Sequence, residues 1–191
     1  MIEVFLSASV PLPERNRIFF DTADVFLIRE AVRALVEVVL PMGRITFGGH
    51  PAITPLMSLY ARSARIGDGH ITIYQSDFFR GEMPRENEDF VDIRYTPNVD
   101  GGIAENLKLM RSEMLNSRKF DAAVFIGGME GVREEAAMFR RLHPNAKMLP
   151  IPSTGAAARL EFLEGDYPKF LENEISFSRL FRHTLFPSPL A

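Results

Sequence analysis

One segment constrains the fold of this chain more than any other. The apolar run 122–126 predicts a buried strand, Gly127 and Gly128 predict a tight turn, and residues 130–142 have the periodicity of a helix. A junction of this kind leaves backbone N–H groups at the positive end of a helix dipole, where phosphate and other anions bind. We therefore expect Gly127, Gly128, Met129, Glu130 and Gly131 to surround an anionic ligand.

A weaker form of the same pattern lies nearer the N-terminus. The short apolar run 44–47 leads into Gly48 and Gly49, and His50 follows directly. Two strand-to-glycine-to-helix junctions in one chain predict a nucleotide-like ligand held across the carboxyl ends of a parallel sheet. Gly48, Gly49 and His50 are accordingly predicted to contact that ligand.

The remaining chain alternates short apolar runs with segments of helical periodicity. This alternation predicts an α/β fold, a Rossmann-like three-layer sandwich with a mainly parallel sheet. Segment 79–89 is polar and acidic, and we expect a solvated loop there or a mobile lid. The predicted strands are 2–7, 44–47, 70–75, 91–95, 122–126 and 147–150, and the predicted helices are 24–40, 51–63, 102–116, 130–142 and one that opens at 153–155.

Composition limits the classes of function. The chain has 191 residues, 46% of them hydrophobic, a formal net charge of −3 and no cysteine. An acidic balance argues against extended nucleic-acid binding, which needs a basic surface, and the lack of cysteine suits a reducing compartment. With no signal peptide and no apolar run of membrane-spanning length, we expect a cytoplasmic protein without membrane contact.

The C-terminal segment 168–191 is rich in aromatic and aliphatic residues. We predict one domain over 1–191 in which this tail is helical. Two interpretations stay open at the level of sequence: the tail completes the domain by packing on its core, or it contacts a partner subunit in a homodimer. Its apolar residues are Phe170, Leu171, Phe177, Leu180, Phe181, Leu185 and Phe186.

Four segments occur in an order that resembles the SLOG superfamily, which unites the DNA-processing Smf proteins with the LOG phosphoribohydrolases. They are Gly48-Gly49, 109–114 (LMRSEM), 125–135 (FIGGMEGVREE) and 149–157 (LPIPSTGAA). The resemblance implies a Rossmann-like fold that binds nucleotides or their derivatives. It also implies either cleavage of an N-glycosidic bond, as in the LOG branch, or sensing of nucleotide-derived signals, as in branches attached to anti-phage effectors.

The LOG motif Pro-Gly-Gly-x-Gly-Thr-x-x-Glu matches only in part. Ile126 stands in place of the proline, Val132 in place of the threonine, and one extra residue separates the glycines. Glu135 takes the place of the family glutamate, and Arg111 takes that of its upstream arginine. These two residues would be the catalytic pair if the chain is an enzyme, but the departures favour binding and sensing over catalysis.

Elementary chemistry assigns each of these residues a role. A carboxylate beside a phosphate repels it, so Glu135 is expected to face the ribose, unless it merely complements the helix dipole. Arg111 can contact phosphate or a leaving base, unless it is a solvated helix residue. Ser153, Thr154 and Gly155 can cap a helix, bind phosphate or do both. Ser7 and Ser9 end the first strand, where a ligand would pass, although a plain loop fits equally.

Three functional hypotheses follow. The first is a sensor of a nucleotide or an ADP-ribose-like molecule in prokaryotic defence signalling, read by a separate effector. The second is an N-glycosidase acting on a nucleoside monophosphate or an ADP-ribose-type substrate. The third is an interaction module whose aromatic tail binds a partner, with purely structural glycine turns. No residue spacing suits a metal, and no cofactor is expected.

Overall fold

The computed structural model of the protein describes residues 1–64 and 69–187. Its centre is a six-stranded sheet in which each neighbouring pair of strands is parallel, so the predicted Rossmann-like α/β architecture is confirmed. The strands are β1 (Ile2–Ser9), β2 (Gly43–Gly48), β3 (Ile71–Ser76), β4 (Asp92–Thr96), β5 (Ala122–Gly127) and β6 (Lys147–Ile151).

The order of the strands places the first strand in the middle. Across the sheet the order is β4-β3-β2-β1-β5-β6, so the chain moves outward from β1 to one edge and then returns to build the other. The direction of winding reverses between β1 and β5, and ligands of doubly wound folds bind at such a point, outside the carboxyl ends of the strands.

Helices cover both faces of the sheet. They are α1 (Arg17–Phe20), α2 (Val25–Val39), α3 (Thr54–Ser63), α4 (Gly102–Asn116), α5 (Glu130–Leu142), α6 (Ala156–Glu164) and α7 (Phe177–Leu185). Helices α2, α3 and α7 pack on one face, and α4, α5 and the start of α6 pack on the other. Because successive strand residues point to opposite faces, Val4 and Leu6 enter the first core and Phe5 enters the second.

Two sequence predictions need correction. Segment 79–89 is not one irregular loop, because Asp77–Glu82 and Arg85–Asp89 form 3-10 turns; the first of them begins with its Phe78 N–H bonded to the Ser76 hydroxyl. No helix was predicted between β1 and α2, but the chain there contains α1, whose Asn16 accepts a hydrogen bond from the Ile18 N–H as an N-cap.

The described part of the C-terminal tail packs against the core. Helix α7 lies along α2 and buries Phe177, Leu180, Phe181 and Leu185. Positions 188–191 of the predicted tail lie outside the described residues. Within the part of the chain described here, no helix combines the length and the apolar character needed to cross a membrane.

Candidate functional site

The two glycine-rich strand ends meet at the reversal point of the sheet. Ser9 at the end of β1 pairs with Gly127 at the end of β5, and the Gly128 N–H donates to the Ser9 carbonyl at 2.9 Å. Helix α5 starts immediately after this pair. The predicted anion junction is therefore located at the central crevice of the carboxyl edge.

Gly127 and Gly128 shape the turn but do not offer their N–H groups to a ligand. Both have positive φ, +56° and +89°, which L side chains rarely adopt. A Cβ on Gly127 would lie 2.9 Å from the Ser9 carbonyl oxygen. The Gly127 N–H donates to Thr154 Oγ1 at 2.9 Å, and that of Gly128 is held by Ser9. These two glycines are needed for the course of the backbone, and their donors are already satisfied.

The donors without an acceptor come directly afterwards. Among the described residues, the N–H groups of Met129, Glu130 and Gly131 have no hydrogen-bond partner, whereas that of Val132 already bonds the Met129 carbonyl at 3.0 Å. The first N–H groups of any helix lack intrahelical partners, and here no side chain caps them. A phosphoryl group is well suited to accept from such a row of donors.

A charged cluster lies beside these donors. Arg111 on α4 donates from Nε to Glu135 Oε1 at 3.3 Å and from Nη1 to Glu134, while the Ser7 hydroxyl donates to Glu135 Oε2 at 2.5 Å. The Arg111 and Glu135 side chains are only 12% and 14% exposed, while that of Glu134 is 59% exposed. The structure thus joins Arg111, Glu135 and Ser7 in one buried network.

Opposing effects act on the proton affinity of Glu135. Burial raises the pKa of its carboxyl, whereas the positive charge of Arg111 and the Ser7 hydroxyl lower it, and burial is the larger effect. A carboxylate held on both oxygens in a poorly hydrated place can still accept a further hydrogen bond through its remaining lone pairs. A ligand hydroxyl would satisfy it.

Gly131 gives Arg111 the space to reach the helix end. A Cβ on Gly131 would lie 2.7 Å from Arg111 Nη2. With Nε and Nη1 bonded to carboxylates, Nη2 has no acceptor among the described residues. One guanidinium nitrogen without an acceptor therefore lies beside Gly131, whose N–H is one of the unpaired donors of α5.

Glu130 connects the helix end to the loop after β1. Its carboxylate accepts from Asn16 Nδ2 at 3.1 Å, and Asn16 in turn caps α1. Asn16 was not among the predicted site residues; an asparagine shortly before the apolar residues 18–20 is the N-cap signal that could have identified it.

The junction after β2 is closed by its own residues. His50 Nδ1 accepts from the Ala52 N–H at 3.2 Å, and the His50 carbonyl accepts from the N–H groups of Ile53 and Thr54, both at 2.9 Å. Burial, assisted by the charge of Arg15, lowers the pKa of His50 to about 4, so the ring is neutral at pH 7. The hydrogen bond to Nδ1 leaves the ring proton on Nε2.

The two glycines ahead of His50 permit close contacts. A Cβ on Gly48 would lie 3.2 Å from Met110 Cε, and one on Gly49 would overlap Gln75 Nε2, which donates to the Gly49 carbonyl at 3.2 Å. Gly48 and Gly49 thus make room for side chains from α4 and β3.

The turn 153–155 is likewise occupied by the chain itself. The Ser153 hydroxyl donates to the Glu174 carbonyl at 2.8 Å, and fully buried Thr154 donates to the Ile151 carbonyl at 2.6 Å while holding Gly127. Gly155 has φ +72°, and a Cβ there would overlap the Thr22 carbonyl oxygen at 1.8 Å. These side chains face protein groups and fasten the tail and β6 to the site.

The predicted site residues are therefore divided among different neighbourhoods. Ser7, Arg111 and Glu135 form one hydrogen-bonded cluster, and Gly131 lies beside Arg111. Met129 and Glu130 stand at the start of α5, and Ser9, Gly127 and Gly128 form the turn that leads into it. Gly48, Gly49 and His50, like Ser153, Thr154 and Gly155, support neighbouring turns.

A solved structure shares the fold of this chain. The X-ray structure of TM1055, a structural genomics target, matches with a TM-score of 0.54 at 18% identity over 85% of this chain and 81% of that chain. A match at this identity shows a shared fold. No curated protein matches the chain.

The family comparison covers almost the whole chain. The model of the SLOG cluster3 family matches residues 18–185, which include the turn 127–128, all of α4 and α5, and the turn 153–155. Membership of this group supports a nucleotide-related ligand. The chain belongs to the SLOG cluster3 family.

Proposed function

We propose that this protein binds a nucleotide-derived small molecule and acts as a sensor of it. One observation carries the proposal: Arg111 Nη2 lies beside Gly131, and the N–H groups of Met129, Glu130 and Gly131, unpaired among the described residues, lie next to the reversal point of the sheet. In this arrangement a phosphoryl group accepts from the helix end and the guanidinium, and a ribose hydroxyl donates to Glu135.

The charges of the cluster support a ligand with both an anionic group and hydroxyl groups. Glu130 and Glu134 are exposed, so water screens much of their repulsion toward a phosphate, and Glu135 is paired with Arg111. Nucleotides and ADP-ribose-like molecules combine phosphate with a ribose diol. An inorganic anion without a hydroxyl, such as sulfate, would use the donors and leave the carboxylate without a partner.

The first test is ligand-dependent stability. Melting curves are measured with a panel of AMP, NAD, ADP-ribose, cyclic ADP-ribose isomers and cyclic dinucleotides. A ligand at about 100 times its Kd adds about 2.7 kcal/mol to the free energy of unfolding. A raised Tm with the ligand intact supports the sensor, and no shift with any compound contradicts the proposal and favours the interaction module.

Arg111→Lys tests the site, because it keeps the charge and removes the planar fork that reaches Gly131. We expect its affinity for the binding nucleotide to fall about tenfold, as for loss of one charge-assisted hydrogen bond. Arg118→Lys is the matched control: Arg118 follows the far end of α4, bonds Glu3 at 3.0 Å and is similarly buried at 16% exposure. Equal losses in the two variants would contradict a local role of Arg111.

A second candidate function is an N-glycosidase of the LOG type. The observation in its favour is the contact between Arg111 and Glu135, the two residues that the resemblance implies as the catalytic pair. Chromatography of the same mixtures detects release of the free base. Base release by the wild type and its loss in Glu135→Gln would establish the enzyme, and unchanged nucleotide would support the sensor.

The biological setting is a separate proposal. We infer a role in prokaryotic defence signalling, and this role rests on family membership alone. We also infer that the protein is a homodimer and that a separate effector protein responds to it. Phage challenge of cells that carry the wild type or Arg111→Lys tests the role, and light scattering during size-exclusion chromatography tests the dimer. Equal plaque counts for the two proteins, or a monomer mass, would contradict the corresponding proposal.

A further inference from the structure

Ser7 occupies an unusual position for a residue predicted to touch a ligand. It lies near the carboxyl end of β1, beside Phe125 of β5, and is only 1% exposed. Phe5 lies two positions before Ser7 on β1, and Phe125 lies beside it on β5. Both belong to an apolar core. A hydroxyl in such surroundings needs a hydrogen-bond partner, since burial without one costs free energy.

The partner of Ser7 is the carboxylate of Glu135. Ser7 Oγ donates to Oε2 at 2.5 Å, and Arg111 Nε donates to Oε1 at 3.3 Å. Each oxygen therefore has its own donor, one from the sheet and one from α4. Rotation of the carboxylate would break both hydrogen bonds, so its plane is fixed from two sides.

The same arrangement determines where the guanidinium lies. Nε bonds Glu135 and Nη1 bonds Glu134, which leaves Nη2 beside Gly131. If the Glu135 carboxylate turned, the Nε contact would be lost and Arg111 would be held only by Glu134, whose side chain is 59% exposed. Ser7 thus acts on the guanidinium through Glu135.

We propose that Ser7 is a positioning residue of the ligand site: its buried hydroxyl orients the Glu135 carboxylate and thereby keeps Arg111 Nη2 at the start of α5. The proposal rests on the proposed function only for its consequence, the binding of an anion. The orientation of Glu135 by Ser7 is a property of the protein without ligand, and it can be tested without one.

The neighbouring strand supplies a matched control. Thr46 on β2 pairs with Phe5 of β1 and is fully buried, but its hydroxyl has no hydrogen-bond partner among the described residues. Thr46→Val removes this hydroxyl at nearly constant volume. Like Ser7→Ala, it removes a buried hydroxyl from this region of the sheet, but it leaves the hydrogen bonds of Glu135 and Arg111 intact.

The first experiment measures the proton affinity of Glu135 directly. Protein labelled with ¹³C-glutamate is titrated by NMR, with the Glu135 signal assigned by its absence in Glu135→Gln. A hydrogen bond to the ionised carboxylate lowers the pKa, so Ser7→Ala is expected to raise the pKa of Glu135 by about one unit above that of the wild type. Thr46→Val is expected to leave it unchanged. Equal pKa values in Ser7→Ala and the wild type overturn the proposal.

The second experiment measures anion binding with inorganic phosphate and AMP as probes. Ser7→Ala is expected to weaken binding of both about tenfold, because Nη2 leaves its place. Ser7→Thr keeps the hydroxyl and should restore both the pKa and the affinity. Ser7→Cys, with similar shape and a weak donor, should fall between wild type and Ser7→Ala. A wild-type affinity in Ser7→Ala overturns the proposal.

The two experiments separate failure of this proposal from failure of the proposed function. If the wild type binds neither probe nor any compound of the nucleotide panel, the ligand hypothesis fails, and the NMR titration still tests whether Ser7 orients Glu135. If the wild type binds and Ser7→Ala changes neither the pKa nor the affinity, the ligand hypothesis stands and the role of Ser7 is refuted.

Discussion

The helices α5 and α6 begin after similar turns, but the first N–H groups of α6 are hydrogen-bonded within the described part of the chain and those of α5 are not. Each follows one of two neighbouring strands, β5 and β6, and each is preceded by a glycine with positive φ. At α6 the chain fills its own helix end: the Ala156 N–H donates to Thr22 Oγ1 at 3.1 Å, and that of Ala157 donates to the Gly128 carbonyl at 3.2 Å. At α5 the corresponding donors have no acceptor among the described residues.

This contrast shows that a glycine before a helix indicates a constraint on the backbone. It does not indicate whether the N–H groups at the helix start bond to the protein or to a ligand. Gly155 is required because the Thr22 carbonyl lies where its Cβ would be, which is a contact between two backbones. Gly131 leaves room for the end of the Arg111 side chain. The first contact is structural and rigid, and the second can yield.

The greatest loss of stability is expected at the α6 junction. Gly155→Ala places a methyl group onto the Thr22 carbonyl oxygen and forces an L residue to φ +72° and ψ −158°. We expect the free energy of unfolding to fall by about 3 kcal/mol or more, from strain and overlap together. Urea denaturation measures it. A loss below about 1 kcal/mol would show that the turn relaxes and that the contrast with α5 is false.

Thr154→Val is expected to rank second. Fully buried Thr154 accepts from the Gly127 N–H and donates to the Ile151 carbonyl, so valine leaves both backbone groups unpaired. We expect the free energy of unfolding to fall by about 2 kcal/mol, with Thr154→Ser as the control that keeps both hydrogen bonds. An equal loss in the serine variant would assign the effect to the methyl group.

Much of the fold was predictable from local sequence patterns. Alternating apolar runs and amphipathic segments predicted six strands near their observed positions and the helix Gly102–Asn116. The short helix α1 was missed because four residues carry too little periodicity to be distinguished from a loop. Segment 79–89 was mistaken for an irregular loop because its 3-10 turns have no apolar face.

The candidate site was predictable at the level of its residues but not of their partners. The resemblance predicted that Arg111 and Glu135 would belong to one ligand site, and the structure brings them into contact. The sequence holds no sign that Ser7 bonds Glu135, since they are separated by 128 positions. Nor does it show that Ser153 bonds the tail, because the Glu174 carbonyl is a backbone group that any residue could offer.

Gly131→Ala tests the contrast from the side of α5. Its Cβ meets only the end of a flexible side chain, and alanine favours a helix, so stability should be unchanged or higher by up to about 1 kcal/mol. Displacement of Arg111 Nη2 should nevertheless weaken binding of AMP about tenfold. Urea denaturation and calorimetry measure the two quantities. Unchanged affinity would show that Arg111 Nη2 does not bind the anion, and only the unpaired N–H groups of α5 would then support the proposed site.

The weakest effect concerns pH and the buried carboxylate of α5. Burial raises the pKa of Glu135 above its value of 4.5 in the unfolded chain, so the folded protein holds that proton more tightly. The contribution of this group to stability is therefore greatest below pH 4.5 and decreases as pH rises through the folded pKa. The free energy of unfolding of the wild type, relative to that of Glu135→Gln, should therefore fall as the pH rises from about 4 to about 8. Urea denaturation at several pH values measures it. A difference that increases with pH would show that Ser7 and Arg111 outweigh burial, and would make this carboxylate a net source of stability at neutral pH.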